Sequence, residues 1–84
     1  MDEDVVIACI RKWALKMTAE VKLAIPAKVA DRVMQELSIP REERKKIIAM
    51  AREVCTKINN MDEAQLADEM EKYSDFSEGT QIYE

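Results

Sequence analysis

Residues 5–25 read VVIACIRKWALKMTAEVKLAI, a run without glycine or proline whose periodicity decides the fold. At 100° per residue, Val6, Ile7, Ile10, Trp13, Met17, Val21 and Ala24 fall in one stripe with Ala14 between them, the pattern of a helix that faces a core. A narrower second run, Ala8, Leu15 and Ala19, stands between Arg11 and Lys22 on one side and Lys12 and Lys16 on the other. A helix apolar on two sides needs neighbours on two sides. This stretch is therefore expected to be the central helix of a bundle, a subunit interface, or both, with Ala8, Leu15, Ala19 and Trp13 as candidate contacts to a partner or a second copy.

Outward from this helix the chain stays helical. Asp2, Glu3 and Asp4 precede it, where negative charge favours a helix start, and Pro26 sets its far limit because the residue before a proline is pushed out of the helical region. That leaves almost no linker before the next segment. Pro26 is equally suited to the first turn of a second helix, in which Val29, Ala30, Val33, Met34 and Leu37 share a face with Ala27. Ser38 reads as the N-cap of a third helix, followed by Pro40 and the favourable charges of Glu42 and Glu43. That third helix has the most regular spacing in the chain: Ile47, Ile48, Ala51, Val54, Cys55 and Ile58, with Met50 at the margin. Asn59 and Asn60 are expected to close it through the left-handed conformation that asparagine tolerates. Asn60 with Glu63 has the spacing of a capping box for a fourth helix, whose apolar stripe of Leu66, Met70 and Tyr73, with Ala67 beside it, is the narrowest.

These signals predict an all-α protein, a compact four-helix bundle with helices at about 4–24, 27–37, 41–59 and 62–74. The first helix is the longest, and the fourth docks last. Residues 1–75 form one helical domain, and 76–84, which include the chain's single glycine, form a mobile tail. Composition agrees, with one Gly, two Pro and four aromatic residues among 84. A chain of this length buries only roughly 60–65% of the surface exposed when unfolded, so its core is modest and self-association is one way to complete it.

Charge is uneven. Residues 11–57 carry twelve Lys and Arg against six acids, whereas residues 58–84 carry one Lys against eight acids, on a chain whose net charge is −4. Arg41, Lys45, Lys46, Arg52 and Lys57 make a candidate basic surface on the third helix. Residues 27–58 have some features of a helix-turn-helix, including Ala30, Leu37 and Ile39 around the turn, and nucleic acid is therefore a possible partner. Glu42 and Glu43 stand where a recognition helix would meet phosphate, and Arg44 stands where an apolar anchor belongs. These departures make DNA the less favoured partner.

Chemistry is sparsely provided for. The chain has no histidine, which removes the commonest general base and the commonest zinc ligand. Cys9 and Cys55 match no metal-ligand spacing, and the default compartment for a chain without a secretion signal is reducing, so two free thiols are expected. The acids Asp62, Glu63, Asp68, Glu69, Glu71 and Asp75 read as a solvated face. No catalytic residue, cofactor or metal is expected, and the charges in residues 5–25 argue against a membrane span. The functional expectation is a cytoplasmic, non-enzymatic adaptor or regulator that binds another protein, as a homodimer. A DNA-binding regulator using residues 27–58 is the first alternative. The second is a small inhibitor of a host enzyme, of the kind carried by phages and plasmids, which size and acidity allow.

Overall fold

Four α-helices form among the described residues: α1 (Glu3–Val21), α2 (Pro26–Leu37), α3 (Arg44–Asn59), preceded by a 3₁₀ turn (Arg41–Glu43), and α4 (Glu63–Glu71). The structure is a computed structural model and describes residues 2–72, among which there are no strands. The expected tail at 76–84 lies outside the described residues, as do Tyr73 and Ser74. The all-α, four-helix expectation holds, with the long helix first.

The core is built by three helices. α1 supplies Val6, Cys9, Ile10, Ala14 and Leu15; α2 supplies Val29, Ala30 and Val33; α3 supplies Ile47, Ala51, Cys55 and Ile58. Each set repeats at three- and four-residue steps, the spacing that keeps side chains on one helical face. α4 contributes no fully buried residue, but Leu66 and Met70 pack half-buried against the cluster. Ala27, expected on the inner face of α2, is exposed, as is Ala67 of α4.

α1 stops earlier than its pattern predicts. The helix ends at Val21, not at residue 24, and Lys22 takes the left-handed conformation at φ 67°, its backbone N–H donating to the Thr18 carbonyl at 2.8 Å. Val21, read as a core position, is 58% exposed, while Ala24 reaches the core from the connection after the helix. So the turn between α1 and α2 is a four-residue corner. What holds this corner comes from far along the chain. The Asn59 side chain accepts from the Ala24 N–H at 2.9 Å and donates through Nδ2 to the Ala24 carbonyl at 3.0 Å. An amide side chain carries both an acceptor and a donor, so one residue satisfies both backbone groups of a residue that is 1% exposed. Next to it, the Ile25 N–H points at the Met17 sulfur, 3.3 Å away. Asn59 therefore closes nothing by left-handed geometry, and Asn60, which follows it, has φ −94°.

The other caps also differ from expectation in their residues. Ser38 does not start α3; it ends α2 in the left-handed region at φ 55°. The backbone N–H groups of Ser38 and Ile39 both donate to the Met34 carbonyl, which terminates the helix as a Schellman-type turn does. α4 is opened by Asp62 and Gln65, not by Asn60 and Glu63. Asp62 Oδ1 accepts from the Gln65 N–H at 2.8 Å, and Gln65 Oε1 accepts from the Asp62 N–H at 3.3 Å. Asp2 caps α1 as its position predicts, accepting from the Asp4 N–H at 3.0 Å.

Leu15 is the largest departure. It is fully buried and belongs to the core, so the run Ala8, Leu15, Ala19 is not a continuous outer stripe. Arg11, one turn before Leu15 on the same side of α1, lines a cleft with Met61 of the α3–α4 connection, Glu69 of α4 and Lys72, which caps α4. α1 packs against α4 as well as α2 and α3. The second apolar side of α1 is thus met from within the chain. Ala8 and Ala19 remain exposed.

Two outcomes follow for stability. Asn59→Ala should cost about 1–3 kcal/mol, because it leaves both Ala24 backbone groups without partners. Asn59→Asp should not rescue it, since a carboxylate would face the Ala24 carbonyl, and Asn60→Ala should stay within about 0.5 kcal/mol. Urea midpoints at constant slope measure all three. Leu15→Ala should cost about 2–5 kcal/mol, a large share of the roughly 5–15 kcal/mol that holds a small domain together. Leu15→Glu should abolish the cooperative transition. A folded Leu15→Glu protein of reduced mass would instead mark an oligomer contact.

Candidate functional site

The most elaborated surface in the described residues surrounds Trp13, the only tryptophan of the chain. Trp13 is half-buried between α1 and α2, and its indole Nε1–H donates to Glu36 Oε1 at 2.7 Å. Lys12 Nζ donates to both oxygens of the same carboxylate, at 3.1 and 3.0 Å. Glu36 is thereby the joint of the two helices, receiving a neutral and a charged donor from consecutive residues of α1.

Cations stand over the ring. Lys16 Nζ lies 5.0 Å from the ring centroid, and Lys12 Nζ and the Arg32 guanidinium carbon each lie 5.5 Å from it. These distances lie within the range in which the negative face of an indole attracts a cation, worth about 0.5–1 kcal/mol each at exposed sites. The local order arises from helical spacing. Lys12 and Lys16 are one turn apart on α1, and Arg32 and Glu36 are one turn apart on α2. The two pairs meet across Trp13 because α1 and α2 pack together through Ile10, Ala14, Val29 and Val33.

This arrangement perturbs two titrating groups. Burial opposes ionisation of Glu36, but the hydrogen bonds from Lys12 and Trp13 and the nearby Lys12 charge outweigh it, so its carboxyl is held below the usual glutamate value. Burial, followed by the neighbouring Glu36 charge, pushes the Cys9 thiol up to about 11. Cys55 in α3 is raised to about 11 by burial alone, and both thiols are free.

The residues marked in the sequence are distributed over the molecule. Trp13 stands at the centre of this surface, Ala8 and Ala19 are exposed elsewhere on α1, and Leu15 is in the core. Arg41, Lys45, Lys46, Arg52 and Lys57 are exposed, but they do not form an uninterrupted basic face. Lys46 pairs with Glu3 of α1 at 3.1 Å. Glu53 lies two turns from Lys46 and one turn from Lys57 along the same side of α3. Arg44, at the start of α3, is turned to Asp31 of α2 at 3.3 Å. Opposite charges thus tie α1, α2 and α3 to one another across the helices. No group of three or more Cys, Asp or Glu side chains placed to hold a metal ion occurs among the described residues, and no described helix is long and apolar enough to cross a membrane.

Sequence reasoning found Trp13 but not Glu36, Lys16 or Arg32 as its neighbours. The spacing within each helix was visible, whereas the register of α2 against α1 depends on the corner at Lys22–Ile25.

Because the folded-state value of Glu36 is depressed, its contribution to stability is full above the unfolded-state value and is lost as the pH falls through the carboxylate range. Its side chain is 38% exposed, so the loss should be small. Acid titration should therefore shift Trp13 emission before the helical circular dichroism falls, and Glu36→Gln should remove that early step. Coincident transitions would assign the change to global unfolding.

No protein-family model matches the chain, and neither the curated proteins nor the solved structures compared with it include a match.

Proposed function

We propose that this protein is a non-enzymatic helical adaptor or regulator that acts by binding another protein, and that the α1–α2 surface around Trp13 is its contact. The observation that carries this reading is the arrangement of Trp13 itself: a large aromatic side chain left half-buried, with its N–H fixed on Glu36 and three cations held over its ring. Tryptophan and arginine are the residue types that most often dominate protein interfaces, because each gives up water over a large area while offering fixed polar groups. A tryptophan already oriented by a hydrogen bond loses little freedom on binding.

Paired cations and interrupted charge count against the DNA reading. Arg44 is engaged by Asp31, Lys46 by Glu3, and Glu53 sits among the remaining cations of α3. An interface that depends on phosphate contacts needs several cations acting together.

The test is site-specific photo-crosslinking in the native cell. Glu20, one turn beyond Lys16, and Lys28, one turn before Arg32, are both exposed and border the Trp13 surface. A photoreactive residue at either position should give a discrete protein adduct that Trp13→Ala reduces, and one at Lys45 on α3 should give none. An adduct of twice the 9.7 kDa chain mass would identify a second copy as the partner. Adducts formed only from Lys45, or adducts that nuclease digests, would refute the proposed contact.

A further inference from the structure

We infer that the Trp13 surface is a receptor for an acidic segment of another protein, with a carboxylate seated on Arg32 at the edge of the positive locus that Lys12 and Lys16 extend over the indole. This inference rests on the proposed contact and adds the chemistry of what it takes. The charge balance is the first ground. Three cations stand over the ring and one carboxylate, Glu36, at its edge, on a chain whose net charge is −4. A positive locus on a negative protein attracts anionic groups there while the rest of the surface repels them, which favours one orientation of approach.

The second ground is what the ring can no longer do. Single-stranded nucleic acid bound at a basic aromatic site gains much of its affinity by stacking bases on the open face of the ring. Lys12, Lys16 and Arg32 all lie within 5.5 Å of the Trp13 centroid, so a base would have to displace them. Glu36 at the indole edge would also repel phosphate. A carboxylate meets neither obstacle when it approaches from the solvent side toward the exposed Arg32, whose planar guanidinium carries five N–H donors. Trp13 then acts as a floor that fixes the donors, and apolar side chains flanking the partner's acids would rest on its exposed part.

The chain reports the event itself, because Trp13 is the only tryptophan. The experiment titrates the whole protein with a short peptide of alternating glutamate pairs and leucines, its glutamine isostere, its lysine counterpart, and a single-stranded oligonucleotide of similar length. The acidic peptide should change Trp13 emission saturably and weaken with added salt, and the other three probes should not reach comparable affinity. Arg32→Gln should weaken acidic-peptide binding roughly tenfold, the loss expected for one charge-assisted hydrogen bond, whereas Arg32→Lys should retain most of it. Arg32 is exposed, so neither change should alter the circular dichroism. Equal binding of the glutamine isostere, tighter binding of the oligonucleotide, or no response to any probe would each overturn the inference. If the crosslinks from Glu20 and Lys28 form but the acidic peptide fails, the surface binds a partner of other chemistry. If the peptide binds through Arg32 but no crosslinks form, the carboxylate receptor stands and the proposed contact falls.

Discussion

One side-chain amide holds the corner on which the three-helix core depends. Asn59 closes both the donor and the acceptor of Ala24, and these two residues are the end of α3 and the exit from α1. Once they are joined, Pro26 must start α2 close to the C-terminus of α3, and the inner faces of all three helices are brought together. The geometry also explains why a lysine is tolerated in the left-handed region. Lys22 accepts a backbone conformation that costs a non-glycine residue on the order of 1–3 kcal/mol, and in exchange the chain turns soon enough to bring Ala24 beneath Asn59. A helix continued to the proline would have carried Ala24 past that position.

The interior of each helix was legible in its sequence, and the ends were less so. Ile47, Ala51, Cys55 and Ile58, like Val29, Ala30 and Val33, announced their faces because helical periodicity is a local property and nothing elsewhere in the chain overrides it. Capping is local too, yet it was misplaced where several residues competed. Asn60 with Glu63 and Asp62 with Gln65 have the same spacing, and the second pair forms because α3 persists to Asn59 and the chain needs two more residues to turn. Ser38 and Val21 were misjudged for different reasons. α2 ends on its own Met34 carbonyl, with Ser38 taking the left-handed position usually left to glycine or asparagine, whereas the end of α1 is fixed by Asn59, a partner distant in sequence that no pattern within the helix encodes.

The same distinction divides the candidate site. Trp13 in the apolar stripe of α1 was visible, whereas Lys12 and Lys16 were visible only as flanks of the second apolar run. Their meeting with Arg32 and Glu36 spans more than fifteen residues and exists only because α2 folds back along α1. Leu15 was visible as a second apolar side, but the sequence had no means of saying whether another molecule or the chain's own remaining helix would cover it. Burial to completion within the described residues assigns that covering to the fold.

The two cysteines have a consequence for the chemistry of the chain over time. Cys9 and Cys55 are enclosed in different helices, and burial, joined at Cys9 by the Glu36 charge, raises both thiols to about 11, so at neutral pH few thiolates exist and the sulfurs are shielded, Cys9 at 7% exposure and Cys55 at 1%. Reaction at either sulfur must wait for its helix to leave the core. The pair therefore behaves as two independent clocks in one molecule, one timing excursions of α1 and the other those of α3, and the ratio of their rates tells whether the helices part company singly or together.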